Sequence, residues 1–228
     1  PRTLRILLLS ALLLGGNWLL YVWAIESEQV LQASFGYFIN PLINVLMGMV
    51  LLGERQNRLQ TVSILIAVVA IAIQAVGLGA FPFISLGLAL SFGFYGYFRK
   101  TAKLGPAVGL FAETLMLAPV ALIYVLYNLA TVGVGAHGDP YLMTLLVLSG
   151  PATAVPLLLF AYGVRRLRLT TIGMFQYIAP TIQFMVAIFL FGEHLNALRL
   201  ISFGLIWVSL LVFSYDSFRR RGQTPVLA

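Results

Sequence analysis

The chain has 228 residues, of which 61% are hydrophobic and 9% charged, and its mean hydropathy is +0.98. Soluble domains are nearer half apolar and a quarter charged, so this composition excludes an ordinary water-soluble globule and calls for a lipid bilayer as solvent. The absence of cysteine excludes disulfides and thiolate chemistry, and the net charge of +7, a pointer to nucleic acid in a soluble protein, has to be read here by its placement.

Apolar runs separated by charged or Gly/Pro-rich breaks predict an all-α polytopic membrane protein with eight transmembrane helices, at residues 4–25, 29–52, 59–79, 83–98, 106–128, 142–164, 169–191 and 197–215. The alternation of a membrane β-barrel is absent. The first run opens with Arg2 and Arg5 as a signal peptide would. No small-residue cleavage site follows, however, and the apolar stretch continues through Trp18 to Ile25. Within it Asn17, beside Trp18, is a polar position at mid-depth, facing a cavity or the backbone carbonyl of a neighbouring helix. The second run, "GYFINPLINVLMGMVLLGE" (36–54), carries Asn40, Pro41 and Asn44 at its centre and ends in Gly53-Glu54. In the fourth, Ser85, Ala89 and Gly93 recur at intervals of four, a close-packing face for another helix or for a second copy in a homodimer. The seventh, "FQYIAPTIQFMVAIFLFGE" (175–193), repeats the features of the second.

The basic residues test the count. Arg2 and Arg5, Arg55 and Arg58, Arg99, Lys100 and Lys103, Arg165, Arg166 and Arg168, and Arg219, Arg220 and Arg221 all fall on one side if there are eight spans. These are 13 of the 14 Lys and Arg; Arg199 alone lies opposite, with Glu26, Glu28 and Asp139. Basic loops remain in the cytoplasm, so both termini are expected there.

Sliding the sequence by 139 residues places Pro41 on Pro180, Gly53 on Gly192 and Glu54 on Glu193, with Ile39, Ile43, Leu51, Asn57 and Leu59 each meeting the same residue type. The first three helices thus map onto the last three, five helix steps later. An odd number of steps turns the second unit upside down. Inverted repeats with helices broken near the midplane are a mark of secondary transporters, whose substrate sites lie between the repeats. Pro41 cannot donate to the carbonyl of Tyr37, nor Pro180 to that of Gln176, so both helices are expected to kink there. Tyr37, Asn40 and Asn44 share one face of the second helix. Gln176 and Gln183 occupy matching positions on the seventh, with Tyr177 beside them. These polar stripes read as the lining of a substrate cavity or as amides bonding neighbouring helices.

Glu113 is the one acidic residue inside a predicted span. Such a carboxylate suits coupling, by holding a proton or a cationic part of the substrate, or it bonds across helices to hold the bundle. Gly53 and Gly192 suit the left-handed residue that closes a helix, leaving Glu54 and Glu193 to meet headgroups or to cap the following helix. His137 and His194 fall in loops without ligand spacing, so no metal and no cofactor are implied. No phosphate-loop motif is present, and no paired Asp, Ser/His or H-E-x-x-H set supports an intramembrane enzyme. The leading expectation is a secondary transporter of a small solute by alternating access. The alternative is a membrane scaffold or accessory subunit.

"NWLLYVWAI", "ASFGYFINPLINVLMGMVLLGE", "ETLMLAPVALIY", "RLRLTTIGMFQYIAPTIQFMVAIFLFGE" and "LIWVSL" together resemble the RarD family of EamA-type transporters in the drug/metabolite transporter superfamily. The resemblance implies ten helices as a 5+5 inverted repeat, both termini cytoplasmic, in the inner (plasma) membrane of a bacterium. It also implies permeation or export of small metabolites, and the polar but mostly uncharged cavity residues suggest a small amphipathic solute such as an amino acid or a drug-like metabolite. On that pattern residues 1–79 are the first repeat without its first two helices, which would lie upstream of Pro1, and residues 80–228 are the second.

Overall fold

The computed structural model describes residues 2–78, 81–133, 138–189 and 197–221. Over these residues the chain is helical almost throughout and forms no strand. Lipid cannot hydrogen-bond a backbone, and a helix satisfies its own N–H and C=O groups. The elements are α1 (Arg2–Glu26), α2 (Val30–Leu51), α3 (Arg58–Leu78), α4 (Phe83–Thr101), α5 (Pro106–Thr131), α6 (Pro140–Arg166), α7 (Leu169–Gln176), α8 (Ile178–Phe189) and α9 (Ala197–Arg221). Among the described residues, every predicted span is occupied by helix. The protein is an all-helical, multi-pass membrane protein.

Six helices, α1, α2, α3, α5, α6 and α9, are long and apolar enough to cross a membrane on their own terms. The other two predicted spans fall short for identifiable reasons. Helix α4 extends past the expected end at 98, which brings Arg99 and Lys100 into its last turn. The seventh span is divided into α7 and α8 by Tyr177. Pro180 has no N–H to give Gln176, and the Tyr177 amide turns back to the Met174 carbonyl at 3.2 Å, a tight turn of the 3₁₀ kind. Helix α2, by contrast, runs without interruption through Pro41. Helix α9 continues beyond 215, so Asp216, expected outside the membrane span, is helical and buried.

Two compact units are present, each built from two stretches of chain. The first comprises Pro1–Gly16 and Tyr95–Leu167. Here α5 packs on α6, and their outer faces are almost wholly apolar and open to lipid, with Val120, Leu122, Ile123 and Val147 all strongly exposed. The ends of α4 and α6 serve each other. Lys100 Nζ donates to the Val164 and Leu167 carbonyls at 2.9 and 2.5 Å, and Arg165 donates to the carbonyls of Ala102, at 2.9 Å, and Leu104. Basic groups at helix C-termini satisfy orphan carbonyls and complement the helix dipole.

The second unit comprises Asn17–Phe94 and Arg168–Ala228. Its core of Val45, Ala67, Ala70, Met174, Tyr177, Ile206 and Phe213 joins α2, α3, α7 and α9. Phe184 of α8 lies on Phe203 of α9, ring centroids 3.9 Å apart, with Trp207 beside both. The stripe of Ser85, Ala89 and Gly93 is spent inside the chain. All three are buried, Ser85 Oγ donates to the Gln32 carbonyl at 2.6 Å, and Gly93 lies against Ile43 of α2.

Candidate functional site

Helices α2 and α7 approach as closely as backbones can. A Cβ on Gly173 would lie 2.5 Å from the Pro41 carbonyl oxygen and 3.1 and 3.2 Å from Val45 and Asn44. Only glycine fits there. The approach brings two predicted cavity residues into a direct bond, Asn44 Nδ2 donating to Gln176 Oε1 at 2.5 Å. Asn40 lies one turn from Asn44 on the same face. The Oδ1 atoms of Asn40 and Asn44 are buried and accept no hydrogen bond from the described residues. Buried amide oxygens left in this state are uncommon and invite an explanation.

The remaining predicted residues disperse. Tyr37 is 42% exposed and meets Tyr21 of α1 edge to face at 6.0 Å. Asn17 donates to the Leu88 carbonyl and to Ser91 Oγ, both at 2.8 Å, which ties α1 to α4 and is one of the two alternatives, cavity or neighbouring carbonyl, expected for it. Trp18 and Gln183 are exposed and Pro180 is buried. Tyr177 is fully buried in the apolar core between α3 and α9, its hydroxyl without a partner among the described residues.

Glu113 is fully buried and belongs to the first unit. Ser10 Oγ donates to its Oε1 at 2.7 Å, and Arg99 Nη1 lies 3.2 Å from the same oxygen. Arg99 is equally buried, and its Nη2 donates to the Pro106 carbonyl at 2.8 Å. Tyr95 adjoins the same carboxyl. The guanidinium lies so flat on α5 that a Cβ on Gly109 would stand 2.6 Å from Nη2 and 2.7 Å from Cζ. The carboxylate therefore has a cation from its own chain. Sequence reasoning placed Arg99 in a loop and missed this pairing. The available signal was that a membrane-embedded carboxylate needs a partner, but Lys103 and Lys100 are both nearer in the chain than Arg99, so proximity in sequence alone would not have chosen it.

Glu54 also differs from expectation. Gly53 adopts the left-handed conformation (φ +65°) foreseen for it, and the Glu54 amide returns to the Gly48 carbonyl at 3.0 Å, closing α2. The side chain caps neither headgroup water nor the following helix. It caps α7: Leu169 N donates to Oε1 at 2.7 Å, Thr170 N and Oγ1 to Oε2 at 2.9 and 2.6 Å, and Arg168 Nε stands 3.8 Å away. Helix α3 is capped instead by Asn57, whose Oδ1 accepts from Gln60 N at 2.9 Å while its Nδ2 reaches Asp216 at 2.5 Å. Gly192, Glu193, His137 and His194 lie outside the described residues. Among those described, no three His, Asp or Glu side chains gather as a metal site would need.

A spanning bundle with a broken helix and polar groups facing one another inside it is the architecture of a membrane transporter. Comparison with known proteins gives the family. Residues 1–75 match the EamA-like transporter family. The chain is 44% identical to Protein RarD of Salmonella typhi over 95% of this chain and 74% of that protein. It is 43% identical to an uncharacterized transporter of Vibrio cholerae over 96% and 73%. It is 30% identical to the chloramphenicol-sensitive protein RarD of Pseudomonas aeruginosa over 92% and 70%. A solved crystal structure shares the fold, with a TM-score of 0.65 at 17% identity over 94% of this chain and 77% of the other. The chain belongs to the RarD family of EamA-type transporters, within the drug/metabolite transporter superfamily.

Proposed function

We propose that this transporter moves a small amphipathic solute, such as an amino acid or a drug-like metabolite, by alternating access, along a path that α2 and α7 help to line. The observation that carries this reading is the pair of buried amide oxygens of Asn40 and Asn44, without a hydrogen-bond donor among the described residues, on the α2 face that meets Gln176. In a lipid environment such atoms need a partner, and a solute with N–H or O–H groups supplies one. A scaffold would need the Asn44–Gln176 bond but no vacant acceptors.

On the same reading the chain sits in a bacterial plasma membrane with the Arg55, Arg58 and Arg168 side in the cytoplasm. Residues 1–79 and 80–228 belong to the two halves of a 5+5 inverted repeat. Glu113 takes part in coupling through its pair with Arg99, and the chain carries no enzymatic step.

The test is counterflow in proteoliposomes containing the full chain, with labelled amino acids and chloramphenicol as probes. Exchange of at least one probe, lost in Asn44→Leu while the variant still elutes as folded protein, is the expected result. Exchange of a probe at the wild-type rate in Asn44→Leu would sink the assignment of this path.

A further inference from the structure

Helix α7 is a short element fastened to α2 along its whole length. Glu54 holds its first turn, Gly173 rests on the Pro41 carbonyl in its middle, and Gln176 takes the Asn44 amide at its end. Its continuity with α8 is interrupted at Tyr177, and α8 packs its Phe184 on Phe203 and Trp207 of α9. The two halves of this span thus have different principal neighbours, α2 for α7 and the aromatic cluster of α9 for α8, although Met174 of α7 also reaches the core shared with α9, and they meet at a joint.

The cap makes the first half conditional on its neighbour. The N-cap position of α7 is Arg168, which makes no side-chain capping bond, where Ser, Thr, Asp or Asn would serve. Its first amides are satisfied by a carboxylate 115 residues away in the chain. Gly48 supplies the room: a Cβ there would stand 2.7 Å from Glu54 Oε2 and 3.0 Å from Thr170 Oγ1. Gln56 Nε2 adds a bond to Thr170 Oγ1 at 2.9 Å, and Arg168 Nη2 one to the Arg55 carbonyl at 2.5 Å. A helix with its own N-cap keeps its amides satisfied wherever it moves. Helix α7 keeps them satisfied only while it lies on α2, and lifting it away would turn those amides to water.

We propose that α7 is the swinging half-helix of a gate on the side bearing Arg55, Arg58 and Arg168, hinged at Tyr177, and that Glu54 is the positioning residue that holds it shut. The proposal rests on the alternating-access reading. Glu54 touches no solute; it sets how often the α2–α7 seam opens.

Because the chain has no cysteine, single reporters are clean. Val45→Cys reports from the seam, where Val45 is 2% exposed and faces Gly173. Ala33→Cys, 1% exposed near the other end of α2 against Ala24 and Leu88, is the control. The full chain in proteoliposomes is treated with a charged, water-soluble maleimide. Adding Glu54→Gln is expected to raise labelling of Val45→Cys about tenfold, the shift that losing one charge-assisted hydrogen bond produces. Labelling of Ala33→Cys should stay unchanged. The milder Thr170→Val should raise the seam signal less, and it guards against a Glu54 variant that fails to fold. An equal rise at both reporters means a cap that merely stabilises the bundle and overturns the gate, as does no change at Val45→Cys in folded variants. A seam response in vesicles that exchange none of the probes would sink the transport reading while leaving the hinge standing. Solute exchange with an unresponsive seam would do the reverse.

Discussion

Glu113 and Glu54 each meet an arginine, and they are held by different physics. Glu113 is fully buried, 3.2 Å from an equally buried Arg99, with Ser10 as a further donor. Glu54 lies 3.8 Å from Arg168, whose side chain is 43% exposed, and its hydrogen bonds come from the backbone and hydroxyl at the start of α7. In the first case each charge is the other's ionic partner, with neutral groups (Ser10, the Pro106 carbonyl) beside them, so removing either strands a buried charge. In the second the helix end supplies the positive field, so the arginine is an accessory. An acidic residue near a basic one is therefore no single kind of feature; what matters is which group would be left stranded.

The largest effect is expected from breaking the buried pair. Arg99→Met or Glu113→Leu alone should cost about 3–5 kcal/mol of stability. The double substitution, which strands no charge, should recover most of that loss. Thermal unfolding in detergent by size-exclusion fluorescence measures the cycle, and additive losses would show that the two charges do not depend on each other. Next comes Gly109→Ala, whose methyl group would occupy the place of the guanidinium. Overpacking of this kind costs about 1–3 kcal/mol. The penalty should vanish in an Arg99→Ala background if the guanidinium is what the glycine accommodates. Glu54→Gln should lower stability by about 1–2 kcal/mol, the range for a lost helix cap. Arg168→Ala should change it by less than about 1 kcal/mol, and that small loss should disappear in high salt. If Arg168→Ala proves as damaging as Glu54→Gln, the contrast between the two carboxylates fails.

Much of the fold is written in the chain because lipid leaves the backbone few options. Apolar runs bounded by charge had to become helices, and each of the eight did. What escaped were the partners of polar side chains. The 139-residue repeat placed Asn44 and Gln176 on corresponding helices, but nothing in it showed that they would bond directly. That depends on Gly173, whose missing side chain lets α7 settle onto Pro41. Pro41 and Pro180 look equivalent in the alignment, yet only the seventh span is divided. The outcome depends on what packs beyond each proline, and α8 is drawn to the aromatic cluster on α9. Arg99 was hidden by a boundary error of three residues, because a basic residue at the end of a span reads as a loop. Glu54 was recognised as a capping residue, but the identity of the capped helix is a tertiary fact.

The reciprocal bonds of Lys100 and Arg165 have a consequence for how such a chain can change over generations. Both belong to the basic set that the positive-inside rule uses to orient a nascent polypeptide, and both also cover the exposed carbonyls of each other's helices. A substitution that erased either charge to re-orient the chain would also leave a helix end bare. The address label and the mortar are the same two side chains, so drift in loop charge at these positions would also disturb the packing of the helix ends.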